Sequence, residues 1–329
     1  MDEILKDLKI FDIDPYKLRS KDFFETFVLN ERERFWDVRK KLNKSFEDNV
    51  CIVCSNQKDN ELYLEYNEYT LVKCSHCDAI FANIEVNDNY IEIIYNNNHY
   101  EEITKVEILD TYEYRKNKFG KERFEYIMEK CKIDLEHDYL LDFGCGAGYF
   151  LKYLQEQGFK SRGLEVTDYL VDLCKQQHLD VDNGNLIDEE NNKYKVITMF
   201  DVLEHLLTPI DFFHLLNTKL SKGGYILAYT PNIQSFAFKF QGGKQNLLAP
   251  YEHVCFYTLE SLNYLASQTG FEIVNIDFYG LDMIDYFSMK EYEDKIPYNK
   301  NLAQIIPTLQ AILDKNKVSN HMRVLFKKK

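Results

Sequence analysis

The stretch Leu140-Leu-Asp-Phe-Gly-Cys-Gly-Ala-Gly-Tyr-Phe-Leu151 decides how the chain is read. The short apolar run Tyr139 to Phe143 predicts a buried strand. Glycines follow at alternate positions, Gly144, Gly146 and Gly148, and Tyr149 to Leu154 then has helical spacing. Strand, glycine loop and helix form a nucleotide site: glycines let a ligand touch the backbone, and the helix start offers free N–H groups. The spacing departs from the dinucleotide fingerprint, because Tyr149 stands where its last glycine belongs. About 20 residues on, where that layout expects an acid for ribose hydroxyls, the chain carries Gly163-Leu-Glu165. A tight turn without a ligand is the plainer alternative.

Asp142-Phe-Gly-Cys-Gly-Ala-Gly148 resembles motif I of the class I S-adenosylmethionine-dependent methyltransferases, and Glu165 matches their ribose-binding acid. Phe200-Asp-Val-Leu-Glu-His205, Thr230-Pro-Asn232 and Glu252-His-Val-Cys-Phe-Tyr-Thr258 look like the branch that includes ubiquinone-biosynthesis O-methyltransferases. The resemblance runs from about Asp138 to Lys329. It implies an α/β fold, a doubly wound Rossmann-like sheet of seven strands with the last antiparallel. S-adenosylmethionine is the implied cofactor, held by Asp142, Gly144, Gly146, Gly148, Glu165, Asn185, Phe200 and Asp201. Segments before the first strand lie over the cofactor in this family, which makes Tyr95, Tyr100, Tyr112 and Arg115 candidate lid residues. Asn232 and Glu252 are candidates on the substrate side.

Alternating strands and helices along the same region agree with a parallel sheet covered on both faces. Lys160–Glu165, Val181–Leu186, Lys195–Phe200, Tyr225–Tyr229 and Phe271–Tyr279 read as strands, and Lys222-Gly-Gly224 as a turn. Met322 to Lys327 alternates as one more. If it is the antiparallel last strand, residues from about 281 to 318 form an insertion before it.

Upstream, Cys51-Ile-Val-Cys54 and Cys74-Ser-His-Cys77 are separated by 19 residues. Two such knuckles are the pattern of a structural zinc ribbon, whose four thiolates leave no open position for chemistry. His76, inside a knuckle, reads as a bystander. The organisation that follows is a helical segment over 1–48, a ribbon over 49–85, a helical linker or lid over 86–131 and the methyltransferase domain over 132–329.

Composition narrows the function. The 329 residues carry 40 basic and 54 acidic side chains, a net charge of −14. That field repels phosphate backbones and argues against nucleic acid as partner. No apolar run approaches the roughly 20 residues of a membrane helix, and the first residues lack the apolar centre of a signal peptide. A cytoplasmic chain is expected, whose eight cysteines serve as metal ligands or free thiols.

Methyl transfer to an oxygen acceptor needs alignment and removal of a proton, which a histidine near neutral pKa can accomplish. His205 and His253 lie in matched motifs and are the candidate bases, with Glu204 and Glu252 to orient them. The expected activity is methylation of a small molecule, an O-methylation of a sugar or another hydroxylated intermediate, a nucleotide-linked sugar included. Alternatives are C- or N-methylation of a sugar, an RNA or protein methyltransferase that docks through its ribbon, and a non-catalytic scaffold. Oligomeric state is left open.

Overall fold

Leu140 and Leu141 are fully buried, and the strand they start is central to a seven-stranded sheet. A computed structural model describes residues 8–19, 23, 49–67, 69–84, 94–95 and 98–329, with only the backbone at 98–100, 102–103 and 105–108. Most of the helical segment expected over 1–48 therefore lies outside the described residues, as does the side chain of Tyr100. The strands are β1 (Glu61–Tyr66), β2 (Tyr69–Lys73), β3 (Ile80–Ala82), β4 (Leu140–Phe143), β5 (Ser161–Leu164), β6 (Val181–Asp182), β7 (Tyr194–Phe200), β8 (Leu220–Pro231), β9 (Cys255–Phe256), β10 (Phe271–Phe278) and β11 (His321–Lys328).

The large sheet has the order β10-β11-β8-β7-β4-β5-β6. Strands β4 to β8 within it run parallel, and β11 is antiparallel to both neighbours, as the family resemblance implied. The strand order reverses between β4 and β7, so a crevice opens at their carboxyl ends, where open α/β sheets bind ligands. Helices cover both faces. Phe150, Leu151 and Leu154 of helix Tyr149–Glu156 bury one side. Phe213, Leu216, Leu262 and Leu265, from helices Pro209–Lys219 and Leu259–Thr269, bury the other. The expected turn at Lys222–Gly224 is instead an irregularity inside β8, where the register with β7 shifts.

Between β10 and β11 the chain forms helices Asp282–Asp294, Tyr298–Asn301 and Ile306–Lys315. Upstream of β4, helix Asn98–Arg115 continues through a wide π turn, Lys116–Gly120, into helix Lys121–Lys130. A π turn takes an extra residue and so resets which side chains share a face. Here it brings Arg115, Phe119 and Arg123 to one cavity wall.

The strands between and after the cysteine knuckles do not form a sheet by themselves. β9, from the methyltransferase region, adds to them in the order β1-β2-β3-β9. No helix among the described residues is long and apolar enough to cross a membrane.

Candidate functional site

The three glycines of the loop all have positive φ, +70° at Gly144, +54° at Gly146 and +74° at Gly148, which side chains rarely adopt. Their surroundings differ. A Cβ on Gly144 would come within 2.6 Å of Val202 Cγ2, and one on Gly148 within 2.7 Å of Leu179. A Cβ on Gly146 would meet nothing within 4 Å. Two glycines thus serve packing, while the third faces open space.

Glu165 closes the same loop. Its carboxylate accepts from the Gly146 N–H at 2.8 Å and the Thr167 N–H at 3.0 Å. Burial raises its pKa against those bonds. Below the loop, Asp142 is 2% exposed and accepts from the Thr198 hydroxyl at 2.6 Å. Burial pushes its pKa up to about 7 from 3.8. The native chain therefore keeps a proton that the unfolded carboxyl releases, so Asp142's contribution is intact in acid and lost as pH rises towards 7. Between pH 5 and 8 the melting midpoint of the wild type is expected to fall more than that of Asp142→Asn. The difference corresponds to on the order of 2–4 kcal/mol. Calorimetry at the two pH values checks this, and parallel profiles would refute it.

A cavity of about 270 Å³ opens beside the loop, lined in part by Arg115, Arg123, Tyr149, Asp201 and His253. Arg123 was not foreseen. It is 6% exposed, donates to the Tyr149 hydroxyl, and lies 3.7 Å above the Phe200 ring centre. Its Nε has no partner, and among the described residues no carboxylate pairs with it. Against burial, which lowers it, Tyr149, Tyr229, Asp201 and Asp142 hold its pKa above the usual value. The sequence signal was the four-residue spacing of Arg115, Phe119 and Arg123, which puts them on one helix face without saying what that face meets.

Across the cavity, the short turn Leu203–His205 and the segment before β9 bring Glu204, His205 and His253 together, with one ligand atom of each within 4.8 Å of the others. Glu204 is fully buried. Its Oε2 accepts from the Thr230 hydroxyl at 3.0 Å, and its Oε1 has no partner. His253 Nδ1 faces the Leu247 carbonyl at 2.8 Å, which can only accept, so that nitrogen carries the proton. His205 Nδ1 faces the Glu252 carbonyl at 2.9 Å and the Tyr95 hydroxyl at 2.6 Å; the carbonyl again calls for the proton there. The Nε2 atom of each histidine lies 3.9 Å from Glu204 Oε1.

Glu204 Oε1 is the buried atom of this cluster that lacks a partner, and a cation seated between it and the imidazoles would supply one. A cation at about 2.0–2.2 Å from each needs them roughly 3.4 Å apart, so each Glu204–histidine separation would have to close by about 0.5 Å. The second ring nitrogen of each histidine on a carbonyl, and the second carboxylate oxygen on a hydroxyl, is how metal ligands are oriented. Burial lowers His205 to about 4 and His253 to about 3. Both lie below the neutral range that suits a general base. Burial, reinforced by Asp201, pushes the Glu204 carboxyl well up.

The other expected site residues divide. Tyr95 reaches the cluster through His205, Tyr112 packs with Ala147 and Leu170 beside the glycine loop, and Arg115 lines the cavity. Glu252 lines it too, but meets His205 through its backbone rather than its carboxylate. Asp201 lies across the crevice with its carboxylate on His321 Nε2 at 3.1 Å. Asn185 is exposed, its side chain capping the Ile187 N–H at 3.3 Å. Asn232 is a correction. It is 3% exposed, donates to the Ser319 carbonyl at 2.9 Å and accepts from the Gln234 N–H at 3.0 Å, so it ties β8 to the last strand and does not face the cavity.

Away from this crevice, Cys51, Cys54, Cys74 and Cys77 gather their sulfurs within 4.8 Å. Sγ separations of 3.6 Å (Cys51–Cys77) and 3.5 Å (Cys54–Cys74) are close to the roughly 3.8 Å edge of a tetrahedron of thiolates about 2.3 Å from zinc. His76 is not part of the cluster; its ring packs edge-on against Tyr264.

The family model described as a methyltransferase domain matches residues 113–276. A ubiquinone biosynthesis O-methyltransferase of Hydrogenovibrio crunogenus is 26% identical over 174 residues, covering 47% of this chain and 71% of the relative. Another from Nitrosospira multiformis is 24% identical over 154 residues, covering 42% and 64% respectively. A SAM-dependent methyltransferase structure from Archaeoglobus fulgidus, 20% identical, aligns with 70% of this chain and 100% of its own at a TM-score of 0.48. With the sheet order and the antiparallel last strand, the family match and the curated relatives make this chain a class I S-adenosylmethionine-dependent methyltransferase.

Proposed function

We propose that the chain methylates a hydroxyl of a small molecule, a sugar or another hydroxylated biosynthetic intermediate, nucleotide-linked sugars included. The observation that carries this reading is the convergence of Glu204, His205 and His253, the last of which lines the same cavity as Tyr149 at the end of the glycine loop. The ubiquinone biosynthesis O-methyltransferases among the relatives support an oxygen acceptor.

S-adenosylmethionine supplies an electrophilic methyl group on a sulfonium. The open space over Gly146 suits its close approach to backbone, and Glu165 is the acceptor for ribose hydroxyls. Arg123 is the partner for its carboxylate, and Phe200, packed under Arg123, floors that end. Asn185 keeps its place as the candidate for the adenine edge. Tyr95 and Tyr112 cover the site and limit water.

Glu204 Oε1 and the two Nε2 atoms would hold a divalent cation, which when bound lowers the pKa of a nearby hydroxyl. This replaces the role of general base first expected of His205 and His253. Cys51, Cys54, Cys74 and Cys77 would hold a structural zinc, since four thiolates leave no position for substrate.

The test is release of S-adenosylhomocysteine with a panel of free sugars, nucleotide sugars and catechols, with divalent cations added or chelated. Glu204→Gln is expected to lower turnover about 10²–10⁴-fold while affinity for S-adenosylhomocysteine stays within about twofold. Wild-type turnover in that variant would overturn the assignment.

A further inference from the structure

The cysteine ribbon touches the methyl-transfer site through one short segment. Tyr69, the fully buried first residue of β2, donates its hydroxyl to the backbone carbonyl of His253 at 2.7 Å. The Ala82 N–H donates to the carbonyl of Val254 at 2.8 Å, and β3 then pairs with β9, Ile80 opposite Phe256 and Phe81 opposite Cys255. On its other side the Val254 N–H donates to the Glu204 carbonyl at 2.9 Å. The segment that carries His253 is thus held between the ribbon and the turn that carries Glu204.

The approach to His253 needs such support. Ala249 and Tyr251 have φ of +31° and +68°, left-handed values that cost roughly 1–2 kcal/mol per residue with a side chain. Strain of this kind persists only where the surroundings over-determine the backbone. The ribbon supplies that: the Tyr69 and Tyr251 rings meet edge to face at 5.1 Å, inside an apolar cluster with Leu71, Ile80, Val254 and Phe256. The ribbon is joined to the methyltransferase region by the same pairing, since β9 extends its sheet beside β3.

We propose that the cysteine ribbon is the clamp that fixes His253 at the methyl-transfer site, with Tyr69 as its positioning residue. The proposal rests on the reading of His253 as a working group of that site. It assigns the ribbon an internal role in place of the docking of RNA or protein. Since Tyr69 acts through the backbone of His253, its loss moves the imidazole without touching the cofactor loop.

Tyr69→Phe keeps the ring and its packing and removes only the hydroxyl. The readout is the pair of imaged ring-nitrogen NMR signals of His253, assigned by their absence in His253→Asn. In the wild type they should report one tautomer protonated at Nδ1; in Tyr69→Phe they should shift towards an average of both tautomers. Cobalt titrated as a probe into the Glu204–His205–His253 cluster should bind about tenfold more weakly in the variant, with S-adenosylhomocysteine affinity unchanged. Identical His253 signals in the two chains would overturn the clamp. If the wild type takes up no cobalt at the cluster, the cation reading fails, and the nitrogen signals still decide the clamp.

Discussion

Gly146→Val is expected to abolish cofactor binding. The added side chain would occupy the space above the loop where nothing now lies within 4 Å, the path by which the cofactor meets the backbone. The same emptiness means that the fold has little to lose from the added volume. The φ of +54° adds strain for a β-branched residue, on the order of 1–2 kcal/mol, which lowers the melting midpoint without unfolding the chain. Titration with S-adenosylhomocysteine should give no measurable heat, an affinity loss of at least about 10³-fold or 4 kcal/mol. Gly144→Val would be a poorer test, because its Cβ clashes with Val202 and folding itself is at stake. A folded Gly146→Val chain that binds the cofactor as the wild type does would remove the loop from the account.

Cys74→Ser is expected to have the largest effect on stability. Wild-type protein purified without added metal should contain about one tightly held zinc per chain, and the variant none. Structural zinc is worth on the order of 10–16 kcal/mol to a small domain, so losing a ligand removes most of what holds the knuckles together. The damage should spread, because Cys74, Val72 and Phe81 belong to one buried cluster with Tyr257, Leu262 and Leu265 of the methyltransferase region. At roughly 2–4 °C per kcal/mol, the melting midpoint should fall by about 10 °C or more. Elemental analysis and calorimetry check both parts. Zinc retained in full by the variant, or an unchanged midpoint, would contradict the assignment.

The parts of this molecule that were legible in its sequence are those written locally. Leu140 to Leu151 carries strand, loop and helix within a dozen residues, and the three glycines mark its backbone angles. The paired cysteine knuckles and the alternation near Met322 are local in the same sense. The rest depends on residues that meet only after folding. Tyr69 and His253 are 184 positions apart, and β9 is two residues long, too short to show any period. Arg123 was hidden because Tyr149 and Phe200, which it meets, lie 26 and 77 positions further along the chain. Asn232 sits in a motif that resembles a substrate loop, and only the position of Ser319 reveals that its amide is spent on structure. The motifs of His205 and His253 could be read locally, but the depressed pKa values of the two come from desolvation, which no spacing records.

The central claim is that the chain carries both a cofactor cradle at Gly146 and Glu165 and a cation-binding cluster at Glu204, His205 and His253. The most direct measurement is anomalous diffraction from crystals grown with S-adenosylhomocysteine and cobalt. The account predicts the cofactor over Gly146 with its ribose at Glu165 and its carboxylate at Arg123, one metal peak among Cys51, Cys54, Cys74 and Cys77, and a second between Glu204, His205 and His253. A cofactor bound away from Gly146, or no peak at the second cluster, would contradict it.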